Sequence, residues 1–240
     1  WDAPKHRGLT MFIVNLRAPG ITIEPIRQVN GSAEFCQEYF DDVAVPASDV
    51  VGDVNGGWTV ATRLLEHEHF AVGGDSPYGS GPPYRFADYV FRDDIPRLAR
   101  ESGRAGDPRV RQMVAEAHAL GLVHEHLVHR VARGVALGHY PRAAGAITKL
   151  LDAALVVRCS DMTIELTGAA GVAWPEHDSD GGTYARQYLF RQAYCIGGGT
   201  TEIQRNIVSE RVLGMPREVS PDRDAPFRDV RHNPMPGARP

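Results

Sequence analysis

The sequence predicts a mainly helical α+β chain, in which a partial β domain precedes an antiparallel bundle of the four-helix type. From Leu9 to about Val51, short apolar runs and alternating residues are broken by Gly, Pro and Asn, as is typical of strands. After Gly57 the apolar period changes to about 3.6 residues and stays helical almost to Leu213. Three or four strands are too few to be stable alone. We therefore expect Trp1 to be an internal point of a longer protein.

Composition excludes several classes of protein. Of the 240 residues, 42% are apolar and 23% charged, which is ordinary for a globular chain and unlike disordered or collagen-like sequences. The 26 basic and 30 acidic residues are interspersed, so we expect no nucleic-acid partner. No apolar run approaches the roughly 18 residues of a membrane span. The three cysteines lack metal-ligand spacing and fit a reducing compartment, so we expect a cytoplasmic protein.

Turn and cap residues divide the chain into its elements. Strand-like segments are predicted at Met11–Leu16, Ile21–Ile26 and Phe35–Val45, and helices at 58–72, about 84–100, 108–133, 141–167, about 183–194 and, after Glu202, to Leu213. Asp107 and Pro108 form a good N-cap and first-turn pair for the long third helix. The composition of residues 219–240 predicts a disordered tail. We expect three segments: the end of a β domain (1–54), a helical bundle (55–218) and this tail.

Glu68 is the first candidate for chemistry. Helical spacing places it on the apolar stripe of the first helix, near Leu64, Leu65 and Val72. Burial there raises the pKa of a carboxylate and makes it a candidate base for a weakly acidic C–H. Alternatively, Glu68 forms an ion pair with a neighbouring helix or lies at the solvent edge of the stripe.

The segment from Gly197 to Arg205 combines three glycines, two threonines and the start of a helix. Thr201 and Gln204 have the spacing of a capping box, so backbone N–H groups would face out of a loop that carries no side chains. Such a terminus suits an anion or the polar edge of a ring cofactor. The alternative is a glycine-rich hinge before an ordinary capped helix.

Metal and hydrolase sites are not expected. The clustered histidines, among them His67, His69, His124, His126 and His129, are spaced two, three or five apart, whereas a helix-borne zinc pair needs a spacing of four. No nucleophile elbow, dinucleotide fingerprint or phosphate-binding loop is present. We therefore predict no metal ligand.

Four blocks together resemble the acyl-CoA dehydrogenases: Tyr39 to Pro46, Gly56 to Trp58, Leu64 to His69, and the highly specific Gly198 to Gly214. The resemblance covers about residues 8 to 218 and implies the later strands of that family's middle β domain plus its C-terminal helical bundle. It further implies FAD as cofactor, oxidation of an acyl-CoA thioester to the trans-2-enoyl-CoA, and an electron-transfer flavoprotein as acceptor.

The resemblance also assigns the base. Many members carry it immediately before the Gly-Thr of the last block, but that position is Gly198 here, which has no side chain. A second group of members carries a glutamate on the first bundle helix, at the position that matches Glu68. His69 stands where the family commonly has Arg.

Cofactor and substrate contacts follow from the same resemblance. At the final helix, the family's flavin contacts are matched here by Thr200, Thr201 and Glu202. A loop that, in the family, approaches the FAD pyrophosphate of a neighbouring subunit is matched here by Glu165, Gly168 and Ala169. The acyl-CoA pocket matches Leu65, Glu66, His69 and Gly199. The family's Arg-x-x-Phe-Gly is absent, with Arg100 or Arg104 as possible substitutes.

Three functions remain open at this point. The first is a dehydrogenase with Glu68 as base, forming a homo-oligomer or a heteromer with a related subunit. The second is a structural partner subunit that has lost its base, and the third is an unrelated helical adaptor. The sequence leaves open the acyl chain length and branching, a fatty or steroid substrate, the electron acceptor, the oligomeric state, and FAD binding by this part alone.

Overall fold

The computed structural model describes residues 1–33, 35–72, 93–173 and 182–230, and it confirms a mainly helical α+β fold. Contacts divide these residues into two units. The described part of the first comprises residues 1–26, 35–72 and 218–230, and that of the second comprises residues 27–33, 93–173 and 182–217. The predicted division at residues 54 and 218 stays a prediction.

The first unit holds the strands and the first helix, namely β1 (Met11–Phe12), β2 (Ile21–Ile26), β3 (Phe35–Phe40), β4 (Val50–Val51) and α1 (Gly57–Val72). β1 pairs with β4, and β2 pairs with β3 over six residues, both antiparallel. Apolar residues of the β2–β3 hairpin such as Phe35 and Phe40 remain exposed. At the start of α1, Gly57 donates its N–H to Leu9 O at 2.8 Å, and a Cβ there would lie 2.7 Å from Met11 N. Only glycine allows this approach.

The second unit is the helical bundle, with α2 (Asp94–Glu101), α3 (Pro108–Ala136), α4 (Gly145–Thr167), α5 (Ala169–Val172), α6 (Thr183–Phe190) and α7 (Thr201–Ile207). α3 and α4 run antiparallel, since Glu116 bonds Arg158 while His124 bonds Asp152. α4 is central and packs on α2, α3, α6 and α7. The core comprises Ile95, Leu98, Ala99, Val110, Met113, Ala117, Leu155, Val156, Cys159, Met162, Leu166 and Tyr194. Because neighbours surround α4, buried residues occur on several of its faces.

The observed helix ends can be compared with the ends predicted from the sequence. The Asp107 side chain caps α3 by accepting from the N–H groups of Arg109 and Val110, as the sequence predicts. α4 ends at Gly168, whose φ of +57° favours glycine. The fourth and last helices contain short non-α segments, a 3₁₀ turn at Arg142–Ala144 and a π turn at Val208–Val212. Residues 84–92 of the predicted second helix lie outside the described residues.

The segment predicted to be a disordered tail carries local structure over its described part, residues 219–230. A 3₁₀ turn spans Phe227–Asp229, and the Phe227 N–H donates to Ala3 O at 3.0 Å. The Trp1 and Phe227 rings lie 5.3 Å apart. Composition does not reveal such contacts because they join the two ends of the described chain. Residues 231–240 lie outside the described residues.

Candidate functional site

Glu68 lies within α1, where its backbone is helical as the sequence predicts. Its side chain and those of Glu66 and His69 lie outside the described residues. The described neighbours on the stripe are exposed, with Leu64 at 61% and Leu65 at 46%. They give no support to burial as the cause of a raised pKa at Glu68, because desolvation requires that the surroundings exclude water. Glu68 as base therefore stays a prediction that rests on its position.

The glycine-rich block forms a turn between the 3₁₀ helix Arg191–Cys195 and α7. Gly198 and Gly199 have φ angles of +70° and +96°, which residues with a Cβ rarely adopt. A Cβ on Gly199 would also lie 2.7 Å from Gln204 Nε2. A glutamate at position 198 would be strained in this conformation. Gly198 itself has no side chain and supplies no base.

Thr200 is the N-cap of α7, and its Oγ1 accepts from the Ile203 N–H at 3.2 Å. The predicted capping box of Thr201 with Gln204 is therefore wrong by one residue. Gln204 is buried, and its Nε2 donates to Gly198 O at 2.8 Å. A buried amide needs an internal partner, and the carbonyl of the turn supplies one.

Glu202 is an exposed carboxylate at the start of α7. Hydrogen bonds from its own backbone N–H, and then from the hydroxyls of Thr201 and Thr200, lower the pKa of Glu202 below its usual value. The Thr201 hydroxyl donates to Glu202 Oε1 at 3.1 Å. A negatively charged group of this kind accepts hydrogen bonds from ligand N–H and hydroxyl groups and repels phosphate. This end of the block therefore suits a ring edge or a sugar better than an anion.

The C-terminal end of α4 forms a second group of polar residues. Glu165 Oε1 lies 2.7 Å from Arg109 Nε, and the Glu165 carbonyl accepts from Arg104 Nη1 at 3.2 Å. The side chains of Arg109 and Arg104 are 72% and 39% exposed, so both guanidinium groups face solvent in part. Gly168 and Ala169 follow Glu165 by three and four residues and are exposed, and a Cβ on Gly168 would meet open space. Exposed guanidinium donors are the groups that bind phosphate in proteins.

The two groups of predicted cofactor contacts lie apart in the second unit. Lys149 of α4 reaches the 3₁₀ helix that leads into the glycine-rich turn, because its Nζ donates to Tyr194 O at 3.0 Å. Glu165 follows Lys149 by 16 residues on the same helix, about 24 Å along its axis. The structure therefore brings together Gly199, Thr200, Thr201 and Glu202, and separately Glu165, Gly168 and Ala169.

Sequence reasoning missed a polar cluster on α4. The carboxylate of Asp152 lies 2.6 Å from His124 Nε2 of α3, with both side chains mostly buried. Burial raises the pKa of Asp152 while His124 and Lys149 pull it down. Burial lowers the pKa of Lys149, against the attraction of Asp152 and the Cys195 thiol. The available signal was the i, i+3 spacing of Lys149 and Asp152, which places opposite charges on one side of α4.

Neither a metal centre nor a membrane helix is found in the described ranges. There, no group of three or more His, Cys, Asp or Glu residues is placed to hold a metal ion. The same residues contain no helix that is long and apolar enough to cross a bilayer.

Comparison with known proteins identifies the family. Residues 55–213 match the model of the acyl-CoA dehydrogenase C-terminal domain. The chain belongs to the acyl-CoA dehydrogenase family. This confirms the resemblance inferred from the Gly198 to Gly214 block.

Relatives with known names are also acyl-CoA dehydrogenases. The chain is 35% identical over 220 residues to acyl-CoA dehydrogenase IpdE1 of Mycobacterium tuberculosis, covering 89% of the chain and 52% of that protein. It is 30% identical to FadE34 of the same organism over 216 residues, covering 90% of the chain and 28% of FadE34. The chain thus spans about half the length of IpdE1.

Solved structures share the fold. The chain superposes on the Tcur3481–Tcur3483 steroid acyl-CoA dehydrogenase with a TM-score of 0.74 and 30% identity, covering 90% of the chain and 54% of that structure. The ChsE4–ChsE5 complex from Mycobacterium tuberculosis gives 0.68 at 24% identity, with 90% and 54% covered, which is a likeness of fold.

Proposed function

We propose that this chain is part of an FAD-dependent acyl-CoA dehydrogenase that converts an acyl-CoA thioester to its trans-2-enoyl-CoA, with Glu68 as the base. One observation carries the choice of base. In a chain of this family, Gly198 has no side chain and a φ of +70°, while Glu68 lies within α1 at the other position where the family carries its glutamate. FAD, when bound, would accept the hydride from the β-carbon.

The chain's own residues would bind, orient and deprotonate the substrate. The Glu68 carboxylate takes the proton from the α-carbon, and hydrogen bonds to the thioester carbonyl would make that proton more acidic. By the family resemblance, Leu65, Glu66, His69 and Gly199 match positions of the acyl-CoA pocket. Holding the α-proton close to the base lowers the entropic part of the barrier, so these contacts serve alignment as much as affinity.

The described residues support FAD as the cofactor. Thr200, Thr201 and Glu202 offer hydroxyl and carboxylate acceptors that suit the hydrogen-bond donors of the flavin ring and sugar chain. Arg104 and Arg109 contact Glu165, three residues before Gly168, and offer partly exposed guanidinium groups that suit the pyrophosphate. About 24 Å of helix separates the two groups, far more than the few bonds between the flavin ring and the pyrophosphate. A second subunit would then supply the pyrophosphate contacts, which supports a dimer or higher oligomer.

The relatives favour one class of substrate. The similarity to a steroid acyl-CoA dehydrogenase at 30% identity favours a steroid-derived thioester over a straight fatty chain. Solved relatives that pair two named chains favour a heteromer with a related subunit. An electron-transfer flavoprotein would be the acceptor.

The test is the visible spectrum of the full-length protein before and after anaerobic addition of fatty and steroid-derived acyl-CoA thioesters. We expect a flavin spectrum that one thioester bleaches. Glu68→Gln should retain flavin and lose bleaching, whereas Glu24→Gln, an exposed glutamate on β2, should behave as wild type. Bleaching of Glu68→Gln at the wild-type rate would contradict the assignment of the base.

A structural partner subunit is the second candidate, and the glycine at position 198 favours it. It predicts bound flavin that no thioester reduces until a related subunit is added. A colourless full-length protein that takes up no flavin would contradict both candidates.

A further inference from the structure

We propose that Lys149 is a positioning residue for the reaction, because its ammonium group holds the start of the glycine-rich turn and thereby fixes the backbone that presents Gly199 and Thr200. This inference rests on the proposed function. It assigns a task to a residue that neither the family resemblance nor the comparisons single out.

The turn is held at both of its ends. At its start, Lys149 Nζ donates to Tyr194 O at 3.0 Å, and near its end Gln204 Nε2 donates to Gly198 O at 2.8 Å. A Cβ on Gly198 would lie 3.7 Å from Lys149 Cε, so the lysine stem also packs along the turn. Between these anchors the glycines have no side chains to fix them. Glycine gives up more backbone entropy on folding than any other residue, so such a segment needs external anchors.

A network on α4 and α3 keeps the lysine in place. Asp152 lies three residues after Lys149 on α4, on the same side of the helix, and attracts its charge. His124 of α3 lies 2.6 Å from Asp152, so the carboxylate itself is fixed between two helices. The residue that contacts the turn is thereby connected to the two longest helices of the bundle.

The choice of lysine is informative in a chain that otherwise uses arginine. Only two of its 26 basic residues are lysines, Lys5 and Lys149. A compact ammonium on a flexible stem reaches a single carbonyl well, whereas the larger planar guanidinium keeps the charge and the donors but reaches that carbonyl less well. Lys5, which is only partly buried in the first unit and is not part of any proposed site, offers a matched control.

A lysine that merely satisfies a buried carbonyl would contribute to stability alone. A positioning lysine also changes the rate of the chemical step while substrate affinity and folding are retained. The experiment compares Lys149→Met, Lys149→Arg and Lys5→Met in the full-length flavoprotein. It measures amide hydrogen exchange of residues 196–200, the thermal midpoint, flavin affinity, and the rate of flavin reduction by the thioester that bleaches wild type.

For Lys149→Met we expect at least fivefold faster exchange in the turn and at least tenfold slower flavin reduction, with KM changed less than threefold. Lys149→Arg should recover part of both losses because it retains the charge and the donors, and Lys5→Met should match wild type. If Lys149→Met does not fold, Asp152→Asn tests the same network and should show smaller changes in the same direction.

Unchanged turn exchange in Lys149→Met would overturn the proposal, and so would faster exchange with a wild-type rate of flavin reduction. A Lys149→Arg variant as impaired as Lys149→Met would also overturn it, since the loss would then reflect packing. Failure of the proposed function gives a different result, because no thioester would then reduce the flavin of the wild-type protein. The hydrogen-exchange measurement does not depend on that reduction.

Discussion

Replacing Gly199 by alanine tests the strain that the structure assigns to the glycine-rich turn. The φ of +96° costs an L-residue about 1–2 kcal/mol. The new Cβ would lie 2.7 Å from Gln204 Nε2, so the amide must move away from Gly198 O and leave that carbonyl without its bond. The lost hydrogen bond adds about 1 kcal/mol. We expect a total destabilisation of about 2–3 kcal/mol.

Gly103→Ala is the matched control. Gly103 also has a positive φ, +70°, but a Cβ there would meet nothing within 4 Å. Its cost is therefore the backbone term alone, about 1–2 kcal/mol. Thermal unfolding of the two full-length variants should show a fall in midpoint about twice as large for Gly199→Ala. Equal falls would refute the reasoning, because the contact with Gln204 would then contribute nothing.

Two further predictions concern ion pairs in the bundle. Arg158 binds Glu116 through two bonds of 2.6 and 2.7 Å and lowers the pKa of Glu116. That stabilisation is present above the ordinary Glu pKa of 4.5 and is lost as the pH falls through the lowered value. Because both side chains are partly exposed, Glu116→Gln should cost only about 0.5 kcal/mol at pH 7, and urea unfolding should show this difference shrinking as the pH falls below 4.5 through the lowered pKa of Glu116. Arg109→Ala should weaken flavin binding in a fluorescence titration, since it removes a donor and leaves the Glu165 carboxylate unneutralised. Adding Glu165→Gln to Arg109→Ala should restore part of the affinity. If it restores none, the Arg109–Glu165 pair has no part in flavin binding.

Sequence reasoning predicted the fold class and most helices because these depend on local signals. The Asp107 cap and the 3.6-residue period of α3 each involve residues close in the chain, so the pattern contains the whole cause. The family could be recognised from the sequence for the same reason, since the block from Gly198 to Gly214 is contiguous in the chain. The cap of α7 was predicted one residue late because Thr200 and Thr201 are equivalent by residue type. The structure distinguishes them, because Thr200 Oγ1 accepts from the Ile203 N–H while the Gln204 side chain bonds to Gly198 O.

The polar contacts of the candidate site could not be predicted from local patterns. Lys149 bonds to a carbonyl 45 residues away, and Arg104 bonds to one 61 residues away. Contacts between residues so far apart in the chain produce no local pattern in the sequence. A helix such as α4, with buried residues on several faces, also gives no face on which a polar residue stands out. Its polar residues are recognised as partners only when the neighbouring helices are in place.

The position of α4 links the two groups of cofactor contacts. A helix of 23 residues is rigid, so it fixes the distance between the end that holds the glycine-rich turn and the end that carries Glu165 and Gly168. If both groups contact flavin, one copy of α4 serves two flavins, with its first turns supporting the site of its own subunit and its last turn completing a neighbour's. Assembly would then be required for cofactor binding as well as for stability. A variant that separates the subunits should lose flavin even when every contact residue is intact.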